Sequence, residues 1–187
     1  MAVASVETDG KETVTLGGGC FWCLQPLLQD LKGVEKVVVG YAGGHVKNPS
    51  YEQVCTDTTG HAEVVDFTFD PKVLPLEDAL RVFFTVHDPT TLNRQGNDVG
   101  TQYRSAIFYH SPEQKAAAEA TIASFNTGKI WSRPVVTELT PASTFFVAED
   151  YHQEYFARTG SANPYCSMVV APKVAKFRKA FLSKLKR

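Results

Sequence analysis

The segment Gly17-Gly18-Gly19-Cys20-Phe21-Trp22-Cys23 constrains this chain more than any other. It follows a short β-rich run, Thr13 to Leu16, and opens an apolar stretch from Phe21 to Leu31. That order reads as strand, glycine turn and helix. Glycines allow a sharp turn and a close backbone approach, here expected toward a substrate. Cys20 then stands at the start of the helix. Unpaired N–H groups and the positive dipole end favour a thiolate there and lower its pKa. Phe21 and Trp22 place two large aromatic faces beside that sulfur.

The remaining pattern alternates. Val34 to Tyr41, Ala62 to Phe69, Tyr103 to His110 and Val135 to Leu139 read as strands. Leu76, Ala79, Leu80, Phe83 and His87 follow helical spacing behind Pro75. Ser111-Pro112-Glu113-Gln114 starts another helix with a capping box and Pro at its first position. Tyr151 to Arg158 reads as a helix, and Val174, Phe177, Phe181 and Leu185 mark the last one. The expectation is an α+β fold, an α/β two-layer sandwich. At 187 residues it is read as a single domain, 1–187. Residues 1–12 form a flexible N-terminal segment in this reading, and residues 172–187 a basic C-terminal helix.

Composition narrows the function classes. No apolar run approaches the ~18 residues of a membrane span. The opening MAVASVETDGKE has neither a positive n-region nor an apolar h-region. A secretory signal is therefore not expected, and the default compartment is cytoplasmic. Net charge is −1, which argues against a whole-protein nucleic-acid footprint. From Pro172 to Arg187 there are seven cations and no acid, leaving −8 on the rest. That stretch reads as the solvated face of a last helix, with a patch for nucleic acid or an acidic partner as the alternative.

Four cysteines without a leader read as reduced thiols: Cys20, Cys23, Cys55 and Cys166. Cys20 is then a structural thiol, half of a zinc site with Cys23, or a redox nucleophile. A zinc site would need Cys55, Cys166, His61 or His152 as further ligands, without a second C-x-x-C or an H-x₃₋₅-H to supply them. A C-x-x-C pair also suits a general thiol–disulfide oxidoreductase. Taken alone, Glu63 reads as a surface residue of a strand, Tyr51 and Tyr103 as half-buried packing residues, and Asp98 as a turn residue. Cys55 reads as a small buried hydrophobe, and His152 as a packing or hydrogen-bonding histidine.

The ordered motifs change those readings. GGGCFWC, YAGG at Tyr41 to Gly44, YEQVC at Tyr51 to Cys55, GHAEVV at Gly60 to Val65, NDVGTQYRS at Asn97 to Ser105, AEDYHQEYF at Ala148 to Phe156 and NPYC at Asn163 to Cys166 resemble the methionine sulfoxide reductase A family, peptide-methionine (S)-S-oxide reductases. The resemblance runs from about Thr13 to Phe181. It implies a ferredoxin-like core with a mixed sheet and flanking helices, and reduction of free and protein-bound methionine (S)-sulfoxide. It implies Cys20 as nucleophile, Phe21 and Trp22 as the pocket for the substrate methyl, and Glu63 as proton donor. Tyr51 and Tyr103 would hold the sulfoxide oxygen, and Asp98 would help organise the site. Cys166 would resolve a sulfenic acid on Cys20, with Cys23 as the alternative. Thioredoxin would restore the thiols. No metal or bound organic cofactor is implied, and the protein is read as a monomer.

Two departures stand out. Family members often carry an acid where this chain has Gln25, so the missing anion is expected to favour the Cys20 thiolate. Some members end in a glycine-rich tail with a further cysteine, where this chain has its basic helix.

Overall fold

The computed structural model describes residues 9–187. Most of the expected flexible segment 1–12 lies outside the described residues, and Glu12 already opens the first strand. In chain order the elements are β1 (Glu12–Gly18), α1 (Phe21–Gln29), β2 (Val34–Ala42), α2 (Tyr51–Cys55), β3 (Ala62–Phe69) and α3 (Leu76–Val86). A small hairpin, β4 (Arg94–Gln95) and β5 (Asp98–Val99), precedes β6 (Ser105–Tyr109) and α4 (Pro112–Thr127). β7 (Glu138–Pro141), β8 (Phe146–Val147), α5 (Tyr155–Thr159), a π-helical turn over Cys166–Val170 and α6 (Ala171–Ala180) complete the chain.

The large sheet has the order β7-β6-β1-β3-β2-β8. Neighbours run antiparallel except β6 and β7. Its middle four strands, β6-β1-β3-β2, with α1 and α3 as the crossovers, form the ferredoxin-like βαββαβ arrangement that the resemblance implied.

Strand alternation decides the layers. Val65, Phe67 and Phe69 of β3 face the main core with Val14, Leu16, Val37, Val39 and Ile107. Against them lie Leu24, Leu27 and Leu28 of α1 and Leu80, Phe83 and Phe84 of α3. Each fully buried Leu or Phe of this set contributes about 1.5–3 kcal/mol. The opposite face carries a smaller cluster, Ala42, Ala62, Val64, Ala106 and Phe108. It also carries a polar row in which Thr13 meets Thr68 at 2.8 Å and Thr15 donates to Asp66 at 2.6 Å. Glu63 has the parity of Val65 and Phe67, so β3 turns it into the helix side.

Several boundaries differ from the sequence reading. Val135 and Val136 are not in a strand, because their N–H groups go to Asn126 Oδ1 and the Pro89 carbonyl instead of a ladder. Tyr103 lies in a 3₁₀ turn before β6. The expected helix 151–158 breaks into a 3₁₀ turn, Asp150–His152, and α5. Between them Glu154 is left-handed (φ 52°), and Gln153 spends its side chain on both backbone groups of Val39. The basic helix starts at Ala171 and stops at Ala180, not at the chain end. Leu185 pairs with Leu31, the Lys186 N–H reaches the Asp30 carbonyl, and Arg178 bonds Asp30 at 2.7 Å, so the tail turns back to the end of α1.

Gln25 is buried on α1 and donates to the Val37 carbonyl while accepting the Glu154 N–H, each at 2.9 Å. Its hydrogen bonds are spent on β2 and the approach to α5. A carboxylate at this position would face the Val37 carbonyl unless protonated. Gln25→Glu is expected to cost about 1–3 kcal/mol at neutral pH. The folded pKa would be raised, so the loss should be absent below about pH 4 and grow as the pH rises. Urea unfolding at several pH values measures it.

Candidate active site

β1 ends and α1 begins across Gly18 and Gly19. Gly19 has φ +88°, and a Cβ there would lie 2.6 Å from Gln95 Cγ. A Cβ at Gly18 would press on the rings of Phe83 and His87. The close approach is therefore to the protein's own side chains and not, as the sequence suggested, to a substrate. The turn leaves Cys20 at the N-cap of α1.

The first N–H groups of α1 are divided between two chemical groups. The Phe21 N–H donates to Glu63 Oε2 at 3.1 Å, and the Trp22 N–H bonds the Cys20 sulfur. Glu63 is 2% exposed, not the surface residue its strand position alone suggested. Burial, with smaller contributions from the nearby Asp98 and Cys23 and against the opposing Phe21 N–H, pushes its pKa up to about 8. The group is thus a neutral acid near pH 7.

Cys20 and Cys23 form one hydrogen-bonded pair. Burial raises Cys20, and the bond to Cys23 and the charge of Glu63 add to it. Cys23 falls to about 7, chiefly because the Cys20 thiol donates to it, with help from Lys173 and the Tyr165 hydroxyl. This corrects the expectation that the helix start alone makes Cys20 the low-pKa thiol. The helix N–H does lower it, but desolvation is larger, and within the pair it is Cys23 whose pKa falls.

Aromatic rings surround the pair. Phe21 is 1% exposed and packs against Tyr41 and His152. Trp22 stacks on Tyr155 with centroids 4.0 Å apart and lies 6.4 Å from Tyr51. His152 accepts the Trp22 indole N–H on Nδ1 at 3.0 Å, which fits the hydrogen-bonding role read from the sequence. Burial holds the Tyr51 and Tyr103 hydroxyls well above the usual phenol range, with the Glu63 charge second. They remain protonated donors. Asp98, in the β4–β5 hairpin, accepts the Tyr165 hydroxyl at 2.8 Å.

The structure thus brings Cys20, Cys23, Glu63, Phe21, Trp22, Tyr51, Tyr103 and Asp98 into one neighbourhood. Cys166 is buried, with its sulfur turned toward Thr159 Oγ1 at 3.7 Å. The residue of NPYC that faces the pair is Tyr165, 3.8 Å from the Cys23 sulfur. Cys55 is exposed and not a buried hydrophobe, since the single turn of α2 puts Val54 inward. Sequence reasoning also missed Tyr155 and Glu149. Both lie inside AEDYHQEYF, and only their places in space show their use. The proposed zinc ligands do not converge. His61 spends both ring nitrogens on the Gly44 N–H and the Val46 carbonyl, and no group of three or more metal-ligating side chains occurs among the described residues.

The family model described as peptide methionine sulfoxide reductase matches residues 12–185. The chain belongs to that family. It is 55% identical over 175 residues to the peptide methionine sulfoxide reductase MsrA of Saccharolobus solfataricus, covering 94% of this chain and 97% of the relative. It is 56% identical over 176 residues to the MsrA of Thermus thermophilus, covering 94% and 98%. The solved methionine sulfoxide reductase A of Corynebacterium diphtheriae superposes with a TM-score of 0.76 at 35% identity, over 81% of this chain and 76% of that one. The protein is accordingly an oxidoreductase. Among the described residues no helix is long and apolar enough to cross a membrane.

The thiol pair sets a measurable titration. Ultraviolet thiolate absorbance of the reduced protein is expected to rise through one step near pH 7. Cys23→Ser should remove that step, and Lys173→Gln should move it to higher pH.

Proposed function

We propose that this chain reduces the S epimer of methionine sulfoxide, free or in polypeptides, with Cys20 as the attacking sulfur. The observation that carries the reading is a buried, neutral Glu63 carboxyl and a paired thiol on the same helix N-terminus. Reduction of a sulfoxide needs a nucleophile on sulfur and a proton on oxygen. The S–O bond lies with its oxygen toward Glu63 and the hydroxyls of Tyr51 and Tyr103. Its methyl group lies against Phe21 and Trp22.

The Cys20 proton passes to Cys23 as the Cys20 sulfur attacks, and Glu63 protonates the oxygen. The hydroxyl then passes from the substrate sulfur to the Cys20 sulfur as the S–O bond and the newly formed bond between the two sulfurs break, leaving a Cys20 sulfenic acid and methionine. Two electrons have moved from Cys20 to the substrate. A second thiol then attacks the sulfenic acid, forming a disulfide and releasing water. Cys23 is the favoured partner, being hydrogen-bonded to Cys20 and having a pKa near neutrality. Cys166, which the family resemblance implies, enters when the Asn163–Cys166 segment turns its sulfur away from Thr159. An external dithiol, thioredoxin by the same resemblance, attacks that disulfide and leaves oxidised while both thiols return.

Turnover of the separate epimers with dithiothreitol tests the reading. Activity is expected on the S epimer alone and should vanish in Cys20→Ser. Glu63→Gln should slow kcat/KM by about 10²–10⁴-fold. It should also remove an alkaline limb near pH 8, where wild-type Glu63 loses its proton. Insulin reduction without sulfoxide reduction would establish a general thiol–disulfide oxidoreductase instead. Peptide mapping after one turnover without reductant should show Cys20 joined to Cys23 in wild type and to Cys166 in Cys23→Ser.

A further inference from the structure

The carboxylate of Glu149, in the stretch between β8 and the 3₁₀ turn, is reached from several elements at once. Oε1 accepts the Tyr41 hydroxyl of β2 at 3.1 Å. Oε2 accepts the Tyr51 N–H, the first of α2, at 3.1 Å and the Tyr151 hydroxyl at 3.3 Å. His152 Nε2 stands 3.8 Å from Oε2. That nitrogen is buried and has no hydrogen-bond partner.

Two consequences follow from these contacts. The capping box of α2 engages only Ser50 and Gln53, so Glu149 supplies what holds Tyr51 at the backbone. The His152 ring accepts the Trp22 indole N–H on Nδ1, so the neutral ring must carry its hydrogen on Nε2. Nothing within hydrogen-bond distance holds that hydrogen. The nearest carboxylate, Glu149, favours the tautomer through its negative charge. With the hydrogen on Nδ1, two N–H groups would oppose each other and the Trp22 bond would be lost.

We propose that Glu149 is a positioning residue for the sulfoxide pocket. It holds the Tyr51 wall directly and the Trp22 wall through the tautomer of His152. It touches neither Cys20 nor Glu63 and takes no part in the proton or electron transfers. The proposal deepens the sulfoxide reductase reading and rests on it for the identity of the substrate.

Nuclear magnetic resonance of the whole reduced protein tests it without relying on turnover. The two tryptophans provide the probe and its control. Trp22 reports on His152, and Trp131 donates to the Phe84 carbonyl of α3, which is not among the partners of Glu149. Wild-type His152 is expected as the Nε2–H tautomer. In Glu149→Ala, and less so in Glu149→Gln, the Trp22 indole resonance should shift and the single tautomer should be lost, with the Trp131 resonance unmoved. In kinetics, KM for the S-sulfoxide should rise about tenfold with kcat kept within threefold, and Glu149→Gln should recover part of the loss. A wild-type Nδ1–H tautomer would overturn the proposal even if neither variant folds. So would an unmoved Trp22 resonance, or a shift shared with Trp131. A wild type inactive on sulfoxide but showing the Nε2–H tautomer and the Trp22 shift would count against the substrate reading, not against Glu149.

Discussion

The hydrogen bond from the Phe21 N–H to Glu63 joins the central strand β3 to the start of α1, and the chemistry depends on it. It gives a buried carboxyl one donor and leaves the rest of its desolvation uncompensated. The acid consequently stays neutral near pH 7. The same helix end serves the thiol through the Trp22 N–H. Strand and helix are fixed to each other by the Val65, Phe67, Leu24 and Leu28 core, so acid and sulfur cannot drift apart.

The thiols divide the remaining task. A lone cysteine at this depth would be held protonated by desolvation. Pairing lets Cys23 take the charge that Cys20 cannot hold in the resting site. Removing Glu63's charge, as a neutral acid does, also removes one of the influences that raise Cys20. The proton on Glu63 and the readiness of Cys20 are therefore linked: the protonation state that suits the acid also suits the nucleophile.

Around this pair the walls are aromatic and indirectly held. Trp22 is fixed by a ring stack on one side and a histidine nitrogen on the other. Tyr165 closes the space with one hydroxyl shared between Asp98 and Cys23. The Asn163–Cys166 segment therefore has two faces. Its tyrosine attends the resting thiols while its cysteine waits against Thr159.

Much of this was legible in the residues. The alternation of β3 is local, and so is the glycine turn before Cys20, because both follow from short-range backbone sterics. The ordered motifs identified the family and nominated Cys20, Glu63, Tyr51, Tyr103 and Asp98. The direction of the cysteine shifts was not legible. It depends on burial and on Lys173 and Tyr165, which lie some 140 to 150 positions further along the chain. The same holds for Gln25, which turns to β2, for Cys55, which turns outward, and for Glu149, whose partners come from separate elements. Sequence by itself determined which groups were available and which elements carry them. Tertiary structure decided their ionisation and orientation, since desolvation and hydrogen bonding are set by neighbours in space and not along the chain.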